Sequence, residues 1–528
     1  MHRRSKNLVL SRQLFATAVV ALSCVGGIRA QSYGYTSVIH AGLTGDAAAA
    51  KFGWSMAASG DRIAFGSPHH ANQFGRVSVV QGAAPEEPPV HLIDVYNQGG
   101  TNPIQERFGA SIALSGDWLA VGNCSPFGSA QYCGSNANWV TLFHFDGASW
   151  QAYPRFASPS SAPGGDFGKA IALSGDLLVV GGGRTSSSAV GRDVVYLYRR
   201  IGSVWPTTPS DSLFGDGSSN GASEAFGHAL YMDGNHLLVG ATGDDELGAD
   251  CGATYLYGRD HGGTGNWGLV RKLLPANGMV GDHFGTSVAI RDGRCIVGAP
   301  DRTVHGETVG AAYLFEEDAG FPGNWGEVAY LEPIGDLGAD MSFGDAVALG
   351  PDRVAVGAPL HELNGNGYDG SVHVYGKEGA TWNAVQQIVP QEEGLVSVAS
   401  RSGNSLAFSG DRLLIGAPWA KLLGQTPEAV ITGVVLVYAE GPVSVPSYER
   451  SNLHLFPNPC TDRVQLRSDA GALVRVRMVD GLGRVVRPWE NAIGTSFAWL
   501  LDGVDPGAYF VQCEMAGGER ITLPLVRQ

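Results

Sequence analysis

A Phe-Gly pair recurs along the chain at Phe52-Gly53, Phe108-Gly109, Phe167-Gly168, Phe226-Gly227, Phe284-Gly285 and Phe343-Gly344, and a degenerate Ser402-Gly403 follows in phase. The intervals are 56, 59, 59, 58, 59 and 59 residues. A fixed period in this range signals a repeat architecture, built from units that cannot bury their own faces alone. Seven units are therefore expected before any chemistry is considered.

Each unit reads the same way. After Phe-Gly comes an alternating strand such as "ASIALSGD", a tight turn, and a second strand ending in Val-Gly-Ala-Pro or a relative. The turns are Ser115-Gly116-Asp117, Ser174-Gly175-Asp176, Asp292-Gly293 and Ser409-Gly410-Asp411. Gly supplies positive φ and Asp bonds its own backbone, which is hairpin chemistry. A variable loop leads to a third strand, from "RVSVVQ" in the first unit to "VVLVYAE" in the seventh. Trp150, Trp205, Trp267, Trp325 and Trp382 each head a candidate fourth strand. Four strands per unit and seven units predict an all-β fold, a seven-bladed β-propeller over residues 31–440. The seventh unit lacks a fourth strand, while an unmatched "SYGYTSVIHAG" from Ser32 precedes the first Phe-Gly. Placed on the last blade, that segment closes the ring and spares it a long exposed edge.

Composition agrees. Gly, at 76 of 528 residues, is about twice its usual share without a collagen period. No capped stretch keeps a 3.6-residue apolar period, so helix is expected to be scarce. Residues 1–30 read as a signal peptide: Arg3, Arg4, Lys6 and Arg12 precede an apolar run from Leu14 to Val25, and Ala30 marks the expected cut. Nothing later is apolar for long enough to span a bilayer as a helix. Residues 1–30 hold five basic and no acidic residues, and 451–528 hold eight of each, leaving 22 basic against 42 acidic in 31–450. A net of −20 there repels phosphate backbones, so nucleic acid is excluded as a partner.

Phe-Gly, a hairpin and Gly-Ala-Pro together resemble the FG-GAP repeat, the blade unit of integrin α-subunit propellers and many bacterial surface proteins. Gly298-Ala299-Pro300, Gly357-Ala358-Pro359 and Gly416-Ala417-Pro418 match the closing triplet outright. The resemblance implies calcium sites in the hairpin loops, but a three-residue turn cannot supply six or more oxygen ligands. No cofactor is expected on that ground. The remaining calcium candidates are Glu362, Asn364, Asn366 and Asp369 in "ELNGNGYDG", otherwise read as a turn-rich loop. "GDDELGAD" (Gly243 to Asp250), Asp301 and the pair His69-His70 read as solvated loop groups.

Beyond a Pro- and Ser-containing linker, 441–452, the chain changes character. Residues 453–528 read as strands of a small β-sandwich. Pro457-Asn458-Pro459, the run Asp480-Gly481-Leu482-Gly483-Arg484, and Pro506-Gly507-Ala508-Tyr509 follow in order. They resemble the type A C-terminal sorting domain of type IX secretion. That resemblance implies export by the type IX machinery of a Gram-negative bacterium of the Bacteroidetes type, to the cell surface or beyond.

Six cysteines follow the signal peptide, an even number for an oxidising compartment. Cys124 and Cys133 flank one loop, Cys460 and Cys513 lie on separate tail strands, and Cys251 and Cys295 fall in neighbouring units. These are candidate disulfides, with buried thiols as the alternative. "GNGYDG" at 365–370 satisfies G-x-G-x-x-G but opens no helix, and "HELNG" lacks a zinc protease's second His. No residue is assigned a catalytic role. Two functions remain open: a non-catalytic binding or adhesion module for an extracellular glycan or protein, or a lyase or glycosidase on the same scaffold. The second needs carboxylates converging from different blades, which spacing cannot reveal.

Overall fold

The computed structural model describes residues 32–39, and then 51–441 and 453–527 apart from a set of connecting segments. Those segments are 70–74, 82–92, 96–106, 124–138, 160–165, 185–191, 218–222, 336–337, 339, 363–366, 391–395, 397–398 and 421–432. In the tail they are 457–459, 469–472, 481–484, 493, 505–506 and 516–519. The chain divides into two compact units, Tyr35–Glu440 and Gly441–Gln528, the latter grouped with Met1–Gly34. The described residues are strands and turns, with no helix among them.

Among the described residues the first unit holds seven four-stranded antiparallel sheets, numbered I to VII here in chain order of their inner strands. Sheet V shows the pattern: Ser287–Arg291, Arg294–Ala299, Ala311–Glu316 and Gly326–Leu331 pair in sequence order. The hairpin turns carry the expected geometry. Gly60, Gly116, Gly175 and Gly410 have φ of 61°, 56°, 59° and 62°, and in sheet V Asp292 and Gly293 have 50° and 70°. Sheet VII comprises Ser405–Ser409, Arg412–Ala417 and Val434–Gly441, and its outer strand is Ser32–Ile39. The segment with no partner in its own unit thus finishes the last sheet. Of the five tryptophans, Trp150 and Trp267 begin their fourth strands, and Trp325 and Trp382 lie within one residue of the start. Trp205 does not: the fourth strand of sheet III, Asp211–Phe214, begins six residues later.

The repeated glycines meet across the sheet boundaries. A Cβ added to Gly298 would stand 1.9 Å from the carbonyl oxygen of Gly344, the Phe-Gly glycine of the next sheet. The same contact recurs for Gly66, Gly122, Gly181, Gly240, Gly357 and Gly416, each within 2.4 Å of the next unit's Gly carbonyl oxygen. For Gly416 of sheet VII that oxygen belongs to Gly53 of sheet I, so the series returns to its start. At four boundaries a serine adds a hydrogen bond to the same carbonyl. Ser55 donates to Gly109, Ser111 to Gly168, Ser287 to Gly344 and Ser405 to Gly53, at 2.6–2.8 Å. The six Phe side chains are at most 1% exposed and fill the layers between neighbouring sheets. The motif is a packing code: one glycine lets the next sheet approach, and the phenylalanine fills the space beside it.

The second unit has a three-stranded sheet (Leu453–Phe456, Arg463–Ser468, Ser496–Leu500) and a four-stranded one. The latter runs Val485–Asn491, Leu473–Asp480, Gly507–Met515, Arg520–Arg527. Val464, Leu466, Val476, Met478, Trp499 and Val511 pack in its core. Asp480 and Tyr509 of the sorting pattern face each other in register, and Gly507 pairs with Arg527. Pro457, Asn458, Pro459, Gly483 and Arg484 lie outside the described residues. The register also corrects the pairing of Cys460 with Cys513. Cys460 bridges Arg527 beside Gly507, and Cys513 lies six residues further along that strand. At about 3.3 Å per residue this is about 20 Å, against the ~7 Å limit between Cα atoms of a disulfide. Both are buried thiols. Cys124 and Cys133 lie outside the described residues.

Candidate functional site

The two ends of the first unit differ. One carries the short hairpin turns. At the other, the chain enters each inner strand through a four-residue turn, x-Phe-Gly-y. The amide of y donates to the carbonyl of x in Arg107–Ala110, Asp166–Lys169, Ala225–His228, His283–Thr286, Ser342–Asp345 and Arg401–Asn404, at 2.8–3.2 Å. Gly at the third position has φ of 79–99° in all seven units, as a type II turn requires. The x residue is itself left-handed in six units: Lys51, Arg107, Ala225, His283, Ser342 and Arg401 have φ of 46–55°. A non-Gly residue in this region costs about 1 kcal/mol. The framework repeats while the side chains at x and y do not.

Six of the seven y residues, Trp54, Ala110, His228, Thr286, Asp345 and Asn404, stand in the wall of a central cavity of about 680 Å3. Deeper positions are apolar, among them Ile112, Ile171, Leu230, Val288 and Val347. Polar chemistry is thus concentrated at the mouth.

Two neighbourhoods stand out there. Between sheets III and VI, Lys169 Nζ lies 3.3 Å from His228 Nδ1 and 3.9 Å from Asp166. Burial lowers the Lys169 pKa and raises that of Asp166, and the two charges only partly oppose it. Burial also pushes His228 down to about 3, so its imidazole is neutral and accepts a hydrogen bond from the Lys169 ammonium at Nδ1. His283 and Asp301 pair at 2.6 Å, and that hydrogen bond raises the histidine pKa. Asp345 is half-buried in the cavity wall. Burial first, and then the charge of Asp301, push its carboxyl up to about 6, against the pull of Arg401.

Between sheets VII and I the mouth is cationic and aromatic. Lys51 Nζ lies 3.8 Å from the Trp419 ring centre, and the Arg401 guanidinium carbon lies 4.5 Å from the same ring. Trp54 packs 5.3 Å from Trp419 and 5.7 Å from His69. Burial, reinforced by Arg401 and Arg107, lowers the Lys51 pKa to about 8. Burial and then Lys51 take His69 down to about 4. His69 is therefore a neutral wall of this cluster and no solvated loop group; His70 lies outside the described residues.

Other expected positions are dispersed. Glu362 is exposed, whereas Asp369 is 1% exposed and its carboxylate accepts the Ala399 amide at 2.9 Å. Asn364 and Asn366 lie outside the described residues. Among the described residues no group of three His, Cys, Asp or Glu is placed to hold a metal. Nor is "GDDELGAD" simply solvated. Asp244 and Glu246, with Asp216 from sheet III, clamp the ammonium of Lys272 at 2.7–2.8 Å, and Tyr255 donates to Asp244. Asp301 stays exposed, as read, while pairing with His283. Sequence reasoning missed Lys51, Trp54, His283, Asp345, Arg401 and Trp419. Their signal was available: they flank Phe-Gly or its degenerate Ser402-Gly403, or follow Gly-Ala-Pro, at offsets where the repeat does not repeat.

A family model described as the FG-GAP repeat matches residues 267–315 and 325–375. FG-GAP repeats are therefore present, on sheets IV to VI of an all-β propeller scaffold. No curated protein matches the chain. Among solved structures the chain is similar to the periplasmic gluconolactonase PpgL of Pseudomonas aeruginosa. The identity is 15%, with 69% of this chain and 94% of that chain covered and a TM-score of 0.42. Among the described residues no helix is long and apolar enough to cross a membrane.

Proposed function

We propose that this protein is an exported, non-catalytic recognition module, which captures an extracellular glycan or protein over the mouth of the propeller channel. One observation carries the reading: the x-Phe-Gly-y turn keeps its geometry from unit to unit while its two outward positions change character. A rigid frame displaying varied side chains around one concavity is how binding sites are built on repeat scaffolds. The signal peptide and the sorting pattern of residues 453–528 support delivery through type IX secretion to the surface of a Gram-negative cell.

The test is a glycan and surface-protein array probed with the mature chain, 31–528. Runs with and without calcium cover the Glu362–Asp369 segment. A triple variant of half-buried wall positions, Thr286→Ala, His228→Ala and Asn404→Ala, is expected to lose the array signal while keeping its thermal midpoint. Signal retained in that variant would remove the mouth from the account.

A second reading, a carbohydrate-active enzyme, is favoured by Asp345, a carboxyl with a raised pKa in the cavity wall beside Asp301. Incubating each captured glycan with the protein and weighing it by mass spectrometry separates the two. Recognition alone leaves the mass unchanged, and a cleaved or eliminated product establishes the enzyme.

A further inference from the structure

Lys51 and Arg401 form no ion pair among the described residues, although both are half-buried and crowd one indole ring. Other cations of the first unit do have close carboxylates: Lys272 has three, Arg302 has Asp282 at 3.0 Å, and Lys377 has Glu316 at 2.5 Å. Like charges held together out of water and resting on π faces leave a local excess of positive potential. An anion placed between them would gain charge-assisted hydrogen bonds from both. The surrounding residues limit what that anion is attached to. Residues 31–450 carry a net charge of −20, which disfavours the approach of a polyanion. The ligand must therefore carry its charge locally on an otherwise neutral body. Half-buried Trp419 and the 40% exposed Tyr368, whose ring lies 5.3 Å from the Arg401 guanidinium, put aromatic surface beside the cations for the C–H face of a pyranose, while the buried Trp54 packs against Trp419. Trp54 also lines the cavity, where Asn404 and Thr286 supply polar groups.

We propose that the mouth between sheets VII and I binds a sugar acid, a single carboxylate borne on an otherwise neutral oligosaccharide, with Lys51 and Arg401 holding the carboxylate. This rests on the reading of the mouth as the recognition site and names its ligand class. The groups facing Lys51 are Arg401, Arg107 and His69, and those acting on Arg401 include Tyr368 and Asp345. His69 stays neutral above pH 5, so Lys51 is the group that titrates as pH rises past 8.

Calorimetric titration of the mature chain tests this with three probes: aldotetraouronic acid (one uronate on three xyloses), neutral xylotetraose, and tetragalacturonate with four carboxylates. Aldotetraouronic acid is expected to bind at least tenfold more tightly than either of the others. Arg401→Gln and Lys51→Gln are each expected to weaken it tenfold or more, with an unchanged thermal midpoint. In Lys51→Arg, binding is expected to persist and to lose its decline above pH 8. Equal binding of the neutral probe, no binding of the acid, or unchanged affinity in Arg401→Gln would overturn the proposal. Neutral glycans held at the mouth and released in the triple variant would leave the recognition role standing while this ligand class falls.

Discussion

At the scale of single residues, the repeated phrase is explained by what a methyl group would strike. Gly298 and Gly416 sit against the backbone of the next sheet, whereas Gly410, at a hairpin tip, has nothing within 4 Å of its missing Cβ. Gly298→Ala and Gly416→Ala are expected to cost about 3 kcal/mol or more, since backbone cannot yield as a side-chain tip can. Gly410→Asn is expected to cost less than about 1 kcal/mol, because Asn tolerates the left-handed turn. Urea unfolding midpoints check both. His373 makes a second residue-scale prediction. It is fully buried, accepts the Ile334 amide at Nδ1 and contacts the Ser371 hydroxyl through Nε2, and burial drives its pKa down to about 3. The unfolded chain therefore binds a proton near pH 6.5 that the folded chain refuses. The associated stability is complete above pH 6.5 and is lost as pH falls toward 3, by an amount on the order of a few kcal/mol. His373→Gln keeps both hydrogen-bonding roles without titrating, so its unfolding midpoint is expected to change less between pH 6.5 and 4 than that of the wild type.

At the scale of elements, the closing strand is the feature most open to test. Ser32–Ile39 covers the outer edge of Val434–Gly441, an apolar strand whose core positions are fully buried. Deleting residues 32–39 exposes that edge and is expected to lower the melting temperature by several degrees and yield concentration-dependent oligomers, read by light scattering. The strand was legible in the sequence because the strand count was one short in the seventh unit and one over before the first. Trp205 shows where such legibility stops. Aromatic residues mark the outer layer of a sheet, but a loop between Trp205 and Asp211 shifts the strand without altering that signal. Cys460 and Cys513 show the same limit. Cys460 lies between two strands and on neither, and its offset from Cys513 depends on a register that the pattern of residues did not determine.

At the scale of the whole molecule, function depends on convergence that linear spacing does not encode. Lys51 and Arg401 are 350 residues apart and share one ring because the first and seventh sheets meet. Asp301, read as a loop tip, stays exposed and lines the cavity, and its effect on Asp345 spans two sheets. What the sequence did offer was the frame, and with it the offsets where variation is displayed. The central claim is that recognition occurs on the face carrying the x-Phe-Gly-y turns. Hydrogen–deuterium exchange of the mature chain, with and without a ligand selected on the array, tests it most directly. Slowed exchange is predicted at 51–54, 342–345 and 401–405, with none at the hairpin turns 60–61, 116–117 and 410–411. Protection confined to those turns, or to residues 453–527, would contradict it.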